Sequence, residues 1–382
     1  MPTTIDGALM NIKLSGFKSI KSAELDFNNL NVFIGANGSG KSNFISFFQM
    51  VNYFLDSTDG LAAYVGKNGG ASSLIYFGST VTNTIEAQLD FNTAKGKNLY
   101  SFELGVQQGN RLYFKDERVS YYPHKQTARK MNLPILLGSG GNSSRLLQIN
   151  GDDNNYSKWH KTTIITIRNI MQKWCFYQFH NTAYDAFIRS ASNKNDISFL
   201  RSDGGNLSAF LFLLQNSYPG VFSAIINTIK QIAPFINKIE LREEYSSPFI
   251  RLKWYEKQND DYFFDASQMS DGTLRAFALV TLLMLPQKPP VICIDEPELG
   301  LHPEAINIIG DLIKIASEQS QIILSTQSPK LIDCFDPDDI VVVDRNDAGT
   351  CFNRLDAIKL KAWLDEYSIS EIWDTNIFGG RP

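Results

Sequence analysis

The sequence predicts an α/β fold with a mixed sheet, a β meander and an inserted helical lobe. Three observations predict it: a glycine-rich loop between a short apolar strand and an apolar-striped helix, a buried strand ending in paired acids at Asp295 and Glu296, and strand–helix alternation that resumes after residue 270. With 382 residues, 43% of them hydrophobic, the chain can bury a substantial core in two or three domains or in one large domain with insertions.

Taken in order, residues 11–14 and 23–27 alternate apolar and polar side chains as half-buried strands do, and 32–34 read as a fully buried strand. Phe44, Ile45, Phe47, Phe48, Val51, Phe54 and Leu55 form a wide apolar stripe on the next helix, which packs on the sheet. Residues 66–70 read as a loop, and 84–91, 100–106 and 111–114 as a meander. A polar Gly/Ser/Asn/Asp stretch at 138–155 crosses the surface, while 162–175 and 207–215 are helical without sustained heptads. Strands at 239–242 and 249–254 precede a helix at 271–285, a strand at 291–294, a helix at 303–316 and strands at 322–325 and 340–343. The expected division is an N-terminal half of the nucleotide-binding core (1–125), an inserted helical lobe (126–235), a C-terminal half of the core (236–345) and a tail (346–382).

A net charge of −4 and a pI near 5.7 exclude a uniformly basic nucleic-acid coat and leave room for a local patch. Residues 1–6 lack the pattern of a signal peptide and no segment approaches the ~20 apolar residues of a membrane span, so a cytoplasmic location without membrane association is expected. Cys175, Cys293, Cys334 and Cys351 lack paired spacing, which speaks against a disulfide framework or a zinc site.

Gly35, Ala36, Asn37, Gly38, Ser39, Gly40, Lys41, Ser42 and Asn43 sit between a strand and a helix, the context a phosphate-binding P-loop requires. Inward-turned backbone N–H groups surround a β-phosphate, Lys41 supplies positive charge, and the Ser42 hydroxyl suits Mg²⁺, so ATP and Mg²⁺ are the expected ligands. Asp295 and Glu296 lie at the carboxyl end of a strand, where open α/β sheets bind ligands. Asp295 is assigned to Mg²⁺ and Glu296 to polarising the attacking water. Ser270, Asp271 and Gly272 open an apolar helix. They serve as a helix cap and equally as an anion site, and nothing local says whose phosphate that site meets.

These motifs, with 298–303 (Glu-Leu-Gly-Leu-His-Pro) and 325–329 (Ser-Thr-Gln-Ser-Pro), occur in an order that resembles an ABC-type ATPase head of the RecF, SMC and OLD group, closest to the RecF-like or AAA-family predicted bacterial ATPases. The resemblance runs from Ile12 to the closing Gly379-Gly380-Arg381-Pro382. It implies that Ser270, Asp271 and Gly272 form a signature motif capping ATP held by a second copy, so that ATP binding produces a homodimer. It also implies that 299–301 is the D-loop across that interface, that Lys18 touches nucleotide, and that Gln327 occupies the switch position. Two departures stand out: Asp271 replaces a signature glycine and brings negative charge toward phosphates, and Gln327 replaces a common histidine and cannot titrate near neutrality. No Q-loop glutamine is assignable; Gln88, on a predicted strand, is the best candidate and also reads as an ordinary surface glutamine.

The resemblance implies a Mg²⁺-dependent ATP hydrolase acting as a clamp on DNA in replication, recombination or repair. The alternative is an ATPase sensor of an antiphage or toxin system that gates a separate nuclease or effector protein. A transporter cassette fits poorly, because the stretch from Lys41 to Ser270 is longer than such cassettes usually show. For nucleic acid, Lys158, Lys161, Arg168 and Lys173 with Trp159, Trp174 and Tyr177 form one candidate patch and residues 111–130 another, each also readable as a solvated face. His124, His160, His180 and His302 are dispersed and form no metal pattern; His302 is expected at a helix start.

Overall fold

The computed structural model describes residues 5–124, 134–243, 247–347 and 349–381. In chain order, β1 (Ala8–Phe17), β2 (Ile20–Asp26) and β3 (Leu30–Ile34) lead into α1 (Lys41–Asp56) and α2 (Gly60–Lys67). Then come β4 (Thr84–Thr93), β5 (Gly96–Gln107), β6 (Arg111–Pro123), β7 (Ile135–Gly138), α3 (Arg145–Gln148), α4 (Lys158–Met171) and β8 (Trp174–Tyr177). The chain continues through β9 (Ser192–Asn193), α5 (Leu207–Ser217), α6 (Pro219–Ile232), β10 (Ile236–Glu243), β11 (Phe249–Glu256), β12 (Asn259–Asp265) and α7 (Asp271–Leu283). It closes with β13 (Val291–Asp295), α8 (Pro303–Ser317), β14 (Gln321–Thr326), α9 (Pro329–Ile332), β15 (Ile340–Asn346), β16 (Gly349–Arg354), α10 (Ala357–Leu364) and α11 (Ile369–Asp374).

Two compact units result: Met1–Trp174 with Pro337–Pro382, and Cys175–Asp336. In the first, an antiparallel sheet runs β2-β1-β4-β5-β6-β7, while β15 pairs parallel to β3 and antiparallel to β16. The fully buried β3 delivers the chain into α1, whose apolar stripe is covered on two sides. Phe44 lies 5.0 Å from Phe33 and 4.7 Å from Phe352, while Phe54 meets Phe102 at 5.4 Å and Phe114 at 5.3 Å. Each such ring, once buried, contributes on the order of 1.5–3 kcal/mol, so α1 is held firmly behind the loop it follows. Buried Glu117 accepts hydrogen bonds from Tyr100 Oη, Ser144 Oγ and Arg145 N at 2.7, 2.5 and 2.7 Å, tying the start of α3 to the meander. Burial raises its pKa against the pull of those donors.

In the second unit β13 and β14 are parallel in register from Val291↔Gln321 to Asp295↔Ser325, which brings both strand ends level. Helix α7 is buried along nearly its whole length, and β10, β11 and β12 form a second meander edged by β9. Of the helices between residues 126 and 235, α3 and α4 belong to the first unit and α5 and α6 to the second.

Most strands and helices lie where the hydrophobic pattern puts them. One difference is at 162–175: the helix ends at Met171, and Trp174–Tyr177 is a strand, since Trp-Cys-Phe-Tyr favours an extended backbone. The sequence reading leaves α2, β7, α3, β9, α6, β12, α9, β16, α10 and α11 unassigned. Helix α6 does carry a signal, with Pro219 in its first turn and Ile225, Ile226 and Ile229 buried at helical spacing. Strand β12 opens with Asn and two Asp residues, which strand propensity disfavours.

Candidate functional site

In the first unit, Gly35, Ala36, Asn37, Gly38, Ser39 and Gly40 join β3 to α1, and Lys41, Ser42 and Asn43 are the first residues of the helix. Gly40 caps α1 in a left-handed conformation at φ 118°, and a Cβ there would fall 2.3 Å from Thr350 Oγ1. No side chain caps the helix, so its first N–H groups face the loop. Lys41 is buried, and its ammonium donates to the carbonyl oxygens of Gly35 and Ala36 at 2.6 and 3.0 Å. Ser39 Oγ is buried and has no hydrogen-bond partner among the described residues. Uncapped N–H groups, a lysine and an orphan hydroxyl turned into one loop fit a phosphate chain, and the exposed Ser42 hydroxyl is a hard oxygen of the kind Mg²⁺ takes.

A brace absent from the sequence reading holds this loop. Thr350 Oγ1 donates to Ser39 O at 2.8 Å and shares a 2.8 Å bond with Ser19 Oγ, which also accepts from Asn43 Nδ2 at 2.8 Å. Beside it lies a cleft of about 420 Å³ whose lining includes Lys18, Ser19, Asn43, Phe77 and Arg345. Lys18 therefore shares a cleft with the P-loop residue Asn43, and it takes a left-handed backbone at φ 48°. Burial lowers the pKa of its ammonium. Phe77 and Arg345 had no sequence signal, since each sits outside any motif.

In the second unit the ends of β13 and β14 gather the acids. Asp295 accepts from Ser325 Oγ, and from Gln178 Nε2 at 3.3 Å, while its carbonyl meets His180 Nε2 at 2.9 Å. Glu296 takes φ 44°, and its N–H donates to Ser325 O at 2.9 Å, which sends the chain away from the strand. Its Oε1 accepts from Gln327 Nε2 at 2.5 Å, so the candidate water-polarising acid and the candidate switch residue touch. Glu298, not singled out from the sequence, sits behind this pair. Its Oε1 accepts from Thr326 Oγ1 at 2.6 Å and Gln327 N at 3.2 Å, and its buried Oε2 has no partner among the described residues. Burial raises the Glu298 pKa, and the nearby Glu296 charge adds to the rise. Asp295 supplies carboxylate oxygen, a donor type suited to Mg²⁺.

Ser270 caps α7 by accepting from Thr273 N at 3.3 Å, and its hydroxyl also bonds Thr273 Oγ1 at 2.7 Å. Asp271 is in the first turn and pairs with Arg189. Gly272 packs on the segment 299–301, where a Cβ would fall 2.2 Å from Gly300 O. Arg275, one turn on, donates to Leu299 O at 3.0 Å and to Phe179 O and His180 O at 3.0 and 2.8 Å, tying the helix to two loops. His302 caps α8 by accepting from Glu304 N at 3.4 Å, the helix-start role expected of it.

Gln88 lies on β4 and donates to Asp90 Oδ1 at 3.0 Å. In the α4 patch, Trp174 and Tyr177 are core residues, Arg168 donates to the carbonyls of Leu146 and Ile149 at 3.1 Å, and Lys161 donates to Gly151 O at 2.7 Å. Lys158 and the 41% exposed Trp159 stay at the surface, the latter edge-on to Tyr121 at 5.3 Å. Of the 111–130 patch, residues 125–130 lie outside the described residues. Among the described residues no helix is long and apolar enough to cross a membrane.

The profile of a family described as "AAA domain, putative AbiEii toxin, Type IV TA system" matches residues 30–333. The Old nuclease of Escherichia phage P2 is 24% identical over 151 residues, 35% of this chain; the match spans only 26% of that protein's length. Among solved structures, an Smc head bound to the C-winged helix domain of ScpA has a TM-score of 0.57 at 19% identity, over 92% of this chain and 99% of that one. An Smc head domain with an extended coiled coil, bound to the C-terminal domain of ScpA derived from Pyrococcus furiosus, has a TM-score of 0.56 at 16% identity, over 94% and 98%. The fold is thus that of an SMC-type ATPase head, a P-loop NTPase fold.

Proposed function

Because the chain belongs to the AAA-domain family of putative AbiEii toxins of type IV toxin–antitoxin systems, we propose that it is a Mg²⁺-dependent ATP hydrolase whose ATP-bound form pairs with a second copy and acts as a clamp on DNA in replication, recombination or repair. The observation that carries the reading is the loop before α1, with its uncapped helix start, buried Lys41 and unpartnered Ser39 hydroxyl. Backbone N–H groups of 35–43 hold the phosphates, Lys41 leaves its carbonyl partners for the β/γ oxygens, and Lys18 adds charge from the adjoining cleft. Ser42 and Asp295 are the residues that would supply oxygen ligands to the metal. Mg²⁺, when bound, neutralises charge on the phosphate oxygens. Glu296 accepts a proton from the attacking water, and Gln327, hydrogen-bonded to Glu296, fixes where that carboxylate points. Ser270, Asp271 and Gly272 meet the γ-phosphate held by the other copy, so hydrolysis removes the contact that keeps the pair closed.

Glu296→Gln is expected to abolish hydrolysis, preserve ATP binding and lengthen the life of the dimer. Undiminished turnover removes Glu296 from its role. A second reading, an ATPase sensor that gates a separate nuclease or effector, is favoured by the family's toxin description and by the likeness to the Old nuclease. ATPase rates measured with single-stranded, duplex and nicked DNA separate the two: acceleration by one form supports the clamp, and co-purification with a nuclease supports the sensor.

A further inference from the structure

Asp271 sets a problem for the proposed trans contact. A carboxylate in the first turn of α7 puts negative charge at the helix start that would meet an incoming phosphate, and like charges at close range repel. The molecule answers it with Arg189, whose side chain is only 8% exposed although it carries a full charge. Its Nε donates to Thr182 O at 2.8 Å, Nη1 to Ser267 O at 2.9 Å and Met269 O at 2.8 Å, and Nη2 reaches Asp271 Oδ1. The three carbonyls accept in the fork geometry of a guanidinium, which a lysine cannot match. Two of them belong to the turn that delivers the chain into α7, so one side chain sets the path of residues 267–269 and meets the charge of residue 271.

We propose that Arg189 is a positioning residue for the signature turn, cancelling the Asp271 carboxylate so that the start of α7 can receive the phosphate of ATP held by a second copy. This rests on the trans contact proposed above. It explains how a turn with aspartate in place of glycine could still meet an anion: the guanidinium and the carboxylate, itself 60% exposed, form a near-neutral pair at the residue before Gly272. Arg189 touches no phosphate itself.

The test is a double-mutant cycle on the full chain, reading the concentration of a non-hydrolysable ATP analogue with Mg²⁺ that gives half-maximal dimer by light scattering. Arg189→Gln removes the charge and leaves only two N–H donors on a shorter side chain, so it also loosens the carbonyl contacts; the Asp271→Asn background reads that loss by itself. Arg189→Gln is expected to raise that concentration on the order of tenfold, the size of one partly screened charge contact. In an Asp271→Asn background the same change is expected to raise it less than about twofold, because no carboxylate remains to cancel. Equal penalties in both backgrounds overturn the proposal and reduce Arg189 to a backbone anchor, and no penalty in either overturns it too. If the unaltered chain stays monomeric at saturating analogue, the trans reading itself fails and this inference falls with it. A chain that dimerises but shows equal penalties sinks the inference alone.

Discussion

Helices α1 and α7 both begin at glycine-bearing turns that resemble phosphate sites, yet they begin in opposite ways. At α1 the cap is a left-handed glycine with no side-chain hydrogen bond, and the nearby cation is Lys41, held by two carbonyls of its own loop. At α7 the serine cap is satisfied by Thr273, an acid fills the first turn, and Arg189 is committed to that acid. The first helix start has no side-chain cap and a cation whose carbonyl partners can be exchanged for phosphate oxygens. The second is electrically and sterically complete. In the proposed reading the first end binds an anion on its own, whereas the second adds to an anion already held elsewhere, as a trans cap requires.

The largest effect expected from this contrast is at Lys41. Lys41→Ala should weaken binding of a fluorescent ATP analogue by about a hundredfold or more, because it removes the buried ammonium held within the loop itself and leaves only Lys18 in the adjoining cleft; near-normal binding would dissolve the distinction between the two helix starts. Ser270→Arg is expected to leave analogue binding within about twofold of normal while abolishing ATP-driven dimerisation, since it blocks only the second site. Mixing it with the Lys41→Ala chain should restore one composite site per pair and a measurable fraction of ATPase activity.

Smaller effects sharpen the picture around each helix. Glu298→Ala should lower turnover about tenfold with nucleotide binding unchanged, because Gln327 loses the carboxylate that fixes its backbone and no longer orients Glu296. Glu298→Gln keeps an acceptor for Thr326 and should retain most activity. The raised Glu298 pKa has a sign: the folded protein binds its proton more tightly than the unfolded chain does, so the contribution is full below the ordinary carboxylate pKa and is lost as pH rises through the higher folded value. Thermal unfolding against pH should therefore fall more steeply for the unaltered chain than for Glu298→Gln across that window. The smallest effect is at Thr350→Val, which keeps the shape of the brace but removes its hydroxyl; a loss of about 1 kcal/mol in stability is expected by denaturant titration, with a few-fold weaker nucleotide binding.

The parts legible in the sequence are those whose partners lie within a few residues. The loop 35–43, the acids 295 and 296 and the Ser270 cap announce themselves because strand, turn and helix follow one another directly. What escaped is held by contacts distant along the chain. Thr350 braces Ser39 across 311 positions, and Arg189 reaches Asp271 across 82. A lone threonine or arginine carries no local pattern that distinguishes it from any surface residue. Glu298 was hidden for another reason: it stands inside a recognisable segment, yet only the parallel register of β13 and β14 brings it to Thr326 and Gln327. In the α4 patch, Trp174 and Tyr177 went the way of most large aromatics, into the core.

The close approach of Gly272 to the Gly300 carbonyl, 2.2 Å from where a Cβ would stand, carries a lesson for anyone surveying variants of this chain. Gly300 is exposed and Gly272 partly so, and ordinary expectation treats such outer positions as permissive. Here the reverse holds: saturation mutagenesis should find two cold spots on the protein's skin, where even alanine is rejected. The two are closed for different reasons: Gly272 by the Gly300 carbonyl, Gly300 by its left-handed φ of 76° beside the Arg275 guanidinium.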